Sequence, residues 1–169
     1  MLHVYTGNGK GKTTAAIGQA LRACGHGLKA IMIQFMKGDI EYGEVKIASK
    51  IPNFEIHQFG LPTFVEKGNP SVEDLKLAHD GFKFASEIVK NGEYDIVILD
   101  ELNVAIDFGL IELGDVINLI EMIHDNLVVI ITGRYAHPDV LERADLVSEV
   151  KEIKHPYQKG ISARRGIEF

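Results

Sequence analysis

Tyr5-Thr6-Gly7-Asn8-Gly9-Lys10-Gly11-Lys12-Thr13-Thr14 lies between a short apolar run, Leu2 to Tyr5, and a helical pattern, Thr14 to Cys24. Strand, glycine loop and helix in that order form the setting of a phosphate-binding P-loop. Closely spaced glycines let the backbone fold round an anion with its N–H groups pointing inward. The helix adds unpaired N–H donors and the positive end of its dipole. The residues expected to bind nucleotide are therefore Gly7, Asn8, Gly9, Lys10, Gly11, Lys12, Thr13 and Thr14. Lys12 would bring a mobile positive charge, and the Thr13 hydroxyl could hold Mg²⁺. In the standard spacing G-x-x-x-x-G-K-[ST] the first glycine falls where this chain has Thr6, and glycine follows at Gly7. The pose of the nucleotide is left open by that shift.

Working outward, apolar runs alternate with helical patterns. Lys29 to Phe35 is nearly continuous in apolar residues, as a strand buried on both faces should be. Phe54 to Phe59, Tyr94 to Leu99, Val128 to Thr132 and Leu146 to Ile153 read as further strands. Helices are expected after the loop, with Ile17, Leu21 and Cys24 as the apolar stripe, and after a Ser71/Asp74 capping box. Short helices are expected over Val45 to Ile51, where Pro52 stops the turn, over Asn103 to Phe108, round Val116 to Ile123, and over Pro138 to Arg143. The pattern predicts a three-layer α/β/α fold of the RecA-like P-loop class, in one domain over residues 1–169. Its sheet should be mainly parallel, with about six strands. Ligands then bind beyond the carboxyl ends of the strands.

The fourth strand ends in Asp100-Glu101, the expected partner of a P-loop. Carboxylates on a stiff, buried strand can hold Mg²⁺ beside the phosphates, and spacing alone does not choose between the two. Arg134, closing the fifth strand after Gly133, is the strongest of the remaining candidates. Lys37, Glu44 and Lys154-His155 follow strands or sit by glycines, and each competes with a plain solvated charge. Arg22, two turns into the first helix, reads by default as surface charge.

The net charge is −6, with both signs interspersed, which disfavours a large nucleic-acid footprint. Apolar runs are far short of a membrane span, and no signal peptide precedes the first strand. Cys24 is the one cysteine; it reads as a small core residue, and the chain suits a reducing cytoplasm. The histidines show no zinc spacing.

Taken in order, several blocks make the chain resemble the ATP:corrinoid adenosyltransferases of cobalamin synthesis and salvage. They are the glycine loop, Arg22-Ala23 with Gly25-His26-Gly27, Gln34-Phe35-Met36-Lys37-Gly38 and Gly43-Glu44. Beyond them come Leu99-Asp100-Glu101-Leu102, Ile131-Thr132-Gly133-Arg134, Ala144-Asp145, Lys154-His155 and Gly166-Ile167-Glu168. The glycine at position 7 is itself the family's pattern. The resemblance implies that cobalt(I) of a reduced corrinoid attacks the 5′ carbon of ATP and that triphosphate leaves. ATP would lie reversed in the loop, with Mg²⁺, or Mn²⁺, on Thr13 and Glu101, and with Arg22 among the phosphate contacts. Gly43, Glu44 and His155 would face the corrinoid.

The resemblance also gives the loop from Gly60 to Pro70 a role, since such loops carry aromatics that displace the corrinoid's lower axial ligand. This chain has no tryptophan there or elsewhere. Phe64 is the expected wedge, with Leu61 or Val65 assisting, against the alternative of a loop hydrophobe tucked onto the core. An electron donor such as a flavoprotein is implied. The family's N-terminal extension has no counterpart before Met1, so the homodimer that members form stays open. Glu55-Ile56-His57-Gln58-Phe59-Gly60 nearly spells a cobalt-ligating D-x-H-x-x-G signature, but its acid is wrong and His57 fits strand alternation. A RecA-like ATPase or small-molecule kinase, giving ADP, is the alternative enzyme. A nucleotide-dependent switch or corrinoid chaperone is the non-enzymatic one.

Overall fold

The computed structural model describes residues 1–168; Phe169, the last residue of the expected domain, lies outside them. Six strands form one sheet: β1 (Leu2–Thr6), β2 (Ala30–Phe35), β3 (Phe54–Phe59), β4 (Ile96–Asp100), β5 (Val128–Thr132) and β6 (Leu146–Glu149). Their order is β3-β2-β4-β5-β1-β6, and every pairing is parallel. Helices α1 (Lys12–Cys24) and α2 (Gly43–Ala48) cover one face. The other face carries α3 (Val72–Asn91), α4 (Leu102–Asp107), α5 (Leu113–Glu121) and α6 (Pro138–Glu142). The expected three-layer α/β/α arrangement is therefore present.

Strand alternation divides the core in two. Val97, Leu99, Val129 and Ile131 pack under α3, α4 and α5, while Ile96, Ile98 and Ile130 pack under α1. The α1 side differs from the expected stripe. Its buried apolar residues are Ala16, Ala20 and Ala23, whereas Leu21 is exposed and Ile17 and Cys24 are half-buried. The period was right and the phase was off by one residue, because the loop's Lys12 is the residue that must turn inward. Methyl-sized contacts let α1 seat close to the sheet, as tight interior packing requires.

The Ser71/Asp74 capping box forms, with Asp74 N donating to Ser71 Oγ at 3.1 Å and Ser71 N to Asp74 Oδ2 at 2.9 Å. The last strand is shorter than the run to Ile153 suggested. Its partner β1 ends at Thr6, and Val150 turns onto the glycine loop, its N donating to Thr6 O at 2.8 Å. No described helix is long and apolar enough to cross a membrane.

Candidate active site

The loop between β1 and α1 is held from behind. Gly9 N donates to Val150 O at 2.7 Å. A Cβ on Gly7 would stand 2.5 Å from Val150 O, and one on Gly9 would stand 2.8 Å from the carbonyl oxygens of Val150 and Lys151. These glycines are thus required by the chain packed against the loop, which accounts for the shift from position 6 to position 7. Gly9→Ala should push the loop off that support and weaken ATP binding about tenfold, of the order expected for losing a strong hydrogen-bonded contact. Equilibrium titration of ATP checks it; unchanged affinity in a folded variant would show that this support does not matter.

Lys12 is buried at the start of α1, and its Nζ donates to Gly9 O at 2.7 Å. Burial pushes its ammonium below the usual lysine range, with the nearby carboxylates of Glu101 and Asp100 opposing. A desolvated, weakly compensated cation where a glycine loop meets a helix N-terminus is suited to phosphate.

Asp100, the last residue of β4, is fully buried and ties the ends of β2 and β5 to the start of α1. Its Oδ1 accepts from Thr13 Oγ1 at 2.8 Å and from Thr132 Oγ1 at 2.7 Å. Its Oδ2 accepts from Lys37 Nζ at 2.7 Å and from Gln34 Nε2 at 3.2 Å. Gln34 is held in turn, its Oε1 accepting from Gln58 Nε2 at 3.0 Å. Burial alone would raise the Asp100 pKa. The Lys37 charge and the hydrogen bonds from Lys37, Thr132 and Thr13 outweigh it and hold the carboxyl below its usual range.

Glu101 differs from its neighbour in every respect. It sits at φ 62, a left-handed conformation that costs a non-glycine residue free energy, and Met36 and Tyr135 share it at the same sheet edge. Among the described residues its carboxylate makes no hydrogen bond, and it lines the cavity. Burial, then the Asp100 charge, raise its pKa; Lys37, Lys12 and Arg134 pull the other way.

The cavity measures about 570 Å³. Gly9, Lys10, Gly11, Lys12, Thr13 and Thr14 form one wall, and Gly43, Glu44, Glu101, Arg134 and His155 join them there. Gly7 and Asn8 lie outside that lining, and so does Arg22. Arg22 is exposed, and its guanidinium donates to Gln19 Oε1 at 3.3 Å. Lys154 is exposed and also outside, whereas Lys37 is inside, paired with Asp100 rather than solvated. His57 lies on β3 between Glu55 and the Phe84 ring, away from the cavity. Neither Leu61 nor Phe64 lines the cavity.

Phe64 is fully exposed, so it is not tucked onto the core. Its loop is tied down on both flanks, Gly60 packing against the backbone of Met36 and Lys37. Val65 packs on the α3 face, and Lys67 pairs with Asp107 at 2.6 Å, near the rings of Phe108 and Tyr135. Leu61 is half-buried.

Sequence reasoning missed Gln34, Gln58 and Thr132 as parts of the Asp100 network. The available signal was a glutamine inside an otherwise apolar buried strand, which needs a partner. It also missed Tyr42 and Ile17 as cavity walls.

A parallel sheet with a glycine loop, a helix N-terminus and a paired carboxylate strand defines a P-loop nucleotide-binding protein. The chain matches the family ATP:corrinoid adenosyltransferase BtuR/CobO/CobP over residues 1–169. It belongs to that family. It is 35% identical over 169 residues to the corrinoid adenosyltransferase of Pseudomonas aeruginosa, spanning all of this chain and 83% of that one. It is 34% identical to that of a Sinorhizobium species, spanning all of this chain and 80% of that one. With the Escherichia coli K12 protein of the same name it shares 36% identity, over 98% of this chain and 84% of that one.

Proposed function

We propose that this chain transfers the 5′-deoxyadenosyl group of ATP to cobalt(I) of a corrinoid and releases triphosphate. The observation that carries this reading is the loop, whose residues Gly9 to Thr14, Lys12 and Thr13 among them, line one cavity within a chain of this family. The loop grips the triphosphate as the leaving group. Lys12 opposes the negative charge that grows on it as the carbon–oxygen bond breaks. Arg134 lines the same cavity and sets a second positive charge against it. Gly43, Glu44 and His155, which line the same cavity, face the corrinoid, and the exposed Phe64 is its wedge. The corrinoid supplies the nucleophile; the protein supplies position and electrostatics.

The donor set fits a hard divalent cation. Thr13 gives its hydroxyl proton to Asp100, which leaves its lone pairs free, and the Glu101 carboxylate is unpartnered. No group of three acidic, histidine or cysteine side chains that could hold a metal occurs among the described residues. Thr13 and Glu101 would therefore hold Mg²⁺ together with the phosphate oxygens. The ion would neutralise part of the leaving group's charge.

An electron donor such as a flavoprotein keeps the cobalt reduced. The reaction takes place in the cytoplasm, where Cys24 stays a thiol.

The test is product identity. ATP, Mg²⁺ and chemically reduced corrinoid should give a light-sensitive cobalt–carbon product and one triphosphate for each turnover. ADP and phosphate alone would mark an ordinary ATPase or kinase; tight binding without turnover would mark a carrier. Phe64→Ala should slow the reaction from cobalt(II) about tenfold while sparing that from preformed cobalt(I), since only the first needs the axial ligand removed. Equal losses in the two assays would remove the wedge role.

A further inference from the structure

The buried pair of Lys37 and Asp100 is unusual for its place. In a P-loop site the carboxylate at the tip of the partner strand is the expected companion of a cation. Here that carboxylate has no acceptor capacity to spare. A carboxylate offers about four lone-pair directions, and Asp100 uses all of them, on Thr13, Thr132, Lys37 and Gln34. The Lys37 ammonium neutralises its charge directly at 2.7 Å. The adjacent Glu101 has the opposite character, with a carboxylate that is unpartnered and faces the cavity. The backbone enforces this division. Asp100 ends a strand and points inward, whereas the left-handed turn at Glu101 redirects the chain, its N donating to Thr132 Oγ1 at 3.0 Å.

We propose that Lys37 is a positioning residue that closes Asp100 to cations. Asp100 then acts only by orienting the Thr13 hydroxyl, and the divalent ion is directed to Thr13 and Glu101. Gln34, held by Gln58, is the second half of this closure, because it occupies the remaining side of Oδ2. The inference rests on the nucleotide–metal site assigned above and deepens it. It implies that the network selects where the ion sits, so that only a phosphate-bearing ligand completes its coordination.

Mn²⁺ binding, followed by the electron paramagnetic signal of the free ion, tests this without any turnover. The native chain should bind Mn²⁺ with ATP and weakly without it. Lys37→Gln keeps a hydrogen-bond donor but removes the charge. It should gain nucleotide-independent Mn²⁺ binding, about tenfold or more tighter than native, because a buried carboxylate that has lost its cation seeks another. Lys37→Gln with Asp100→Asn should lose that gain, and Glu101→Gln should lose the ATP-dependent binding instead. No gain in a folded Lys37→Gln protein, or a gain that survives Asp100→Asn, overturns the proposal. If Lys37→Gln does not fold, the neutral pair Lys37→Met with Asp100→Asn decides. It should keep an ATP-dependent Mn²⁺ binding that Glu101→Gln abolishes, because the amide Oδ1 of the asparagine can still accept from the Thr13 hydroxyl. A loss as large as that of Glu101→Gln would place Asp100 among the ligands and overturn the proposal. Failure of ATP to bind at all would refute the functional reading, while the nucleotide-free arm would still report on Lys37.

Discussion

Lys12→Ala should slow adenosyl transfer by about 10²-fold or more at saturating ATP and chemically reduced corrinoid, the range found when a key charge-stabilising group is lost. Three facts set the size. The ammonium is buried, so its field is weakly screened by water. It stands at a helix N-terminus, where its charge adds to the positive end of the helix dipole. Its present partner is a carbonyl of the loop itself, Gly9 O, so an incoming phosphate exchanges a neutral acceptor for a charged one. Because charge on the leaving group rises as the bond breaks, the loss should fall on kcat more than on KM. Single-turnover measurement of the cobalt–carbon product gives the rate of the chemical step. A slowing of less than about tenfold there would mean that Lys12 does not act on the triphosphate in the transition state.

Asp100→Ala should destabilise the fold by about 3–5 kcal/mol, the cost usual for removing one partner of a buried ion pair. Lys37 would be left buried with no counter-charge from this carboxylate, and Thr13, Thr132 and Gln34 would each lose an acceptor. Urea unfolding should show a lower midpoint with little change in slope. The effect carries a sign in pH. The Asp100 carboxyl is held below its usual range in the fold, so its stabilisation is present above the unfolded value, about 4. It is lost as pH falls through the lower folded value. The gap between native and Asp100→Ala should therefore narrow in acid. A gap that stayed constant from neutral pH down to about pH 3 would mean that ionised Asp100 is not what the variant removes.

Much of the architecture was legible because it follows from periodicity. Continuous apolar runs between helical patterns describe a doubly covered parallel sheet, and this chain has little else between its loops. The strand ends were legible less well. Leu146 to Ile153 looked like one strand because Val147, Val150 and Ile153 are all β-formers. What ends it at Glu149 is a neighbour, the glycine loop, which no local pattern records. The phase of α1 failed for a related reason. Ile17 and Leu21 carry the stronger hydrophobic signal, but the tight seat against the sheet admits only alanines.

In the site, the loop could be read from glycine spacing and the pair of carboxylates beside it from a strand that ends in acid. Which acid does what could not be read. Asp100 and Glu101 are adjacent in sequence and chemically alike. Their separate duties come from one left-handed turn and from a lysine 63 positions away. Arg22, carried over by position, lies outside the cavity lining and is turned toward Gln19.

The alanine face of α1 has a consequence for how far the enzyme's chemistry can be disturbed from a distance. The Thr13 hydroxyl meets Asp100 at 2.8 Å only because the helix behind it rests on methyl groups. Widening Ala16 or Ala20 by even two carbons would lift the rod like a wedge under a beam, and its leading end would rise with it. Such a change alters no residue of the cavity lining, yet it would loosen the contact between Thr13 and Asp100 first. The bore of the helix bed, set by the smallest side chains in the molecule, fixes the reach of the phosphate grip.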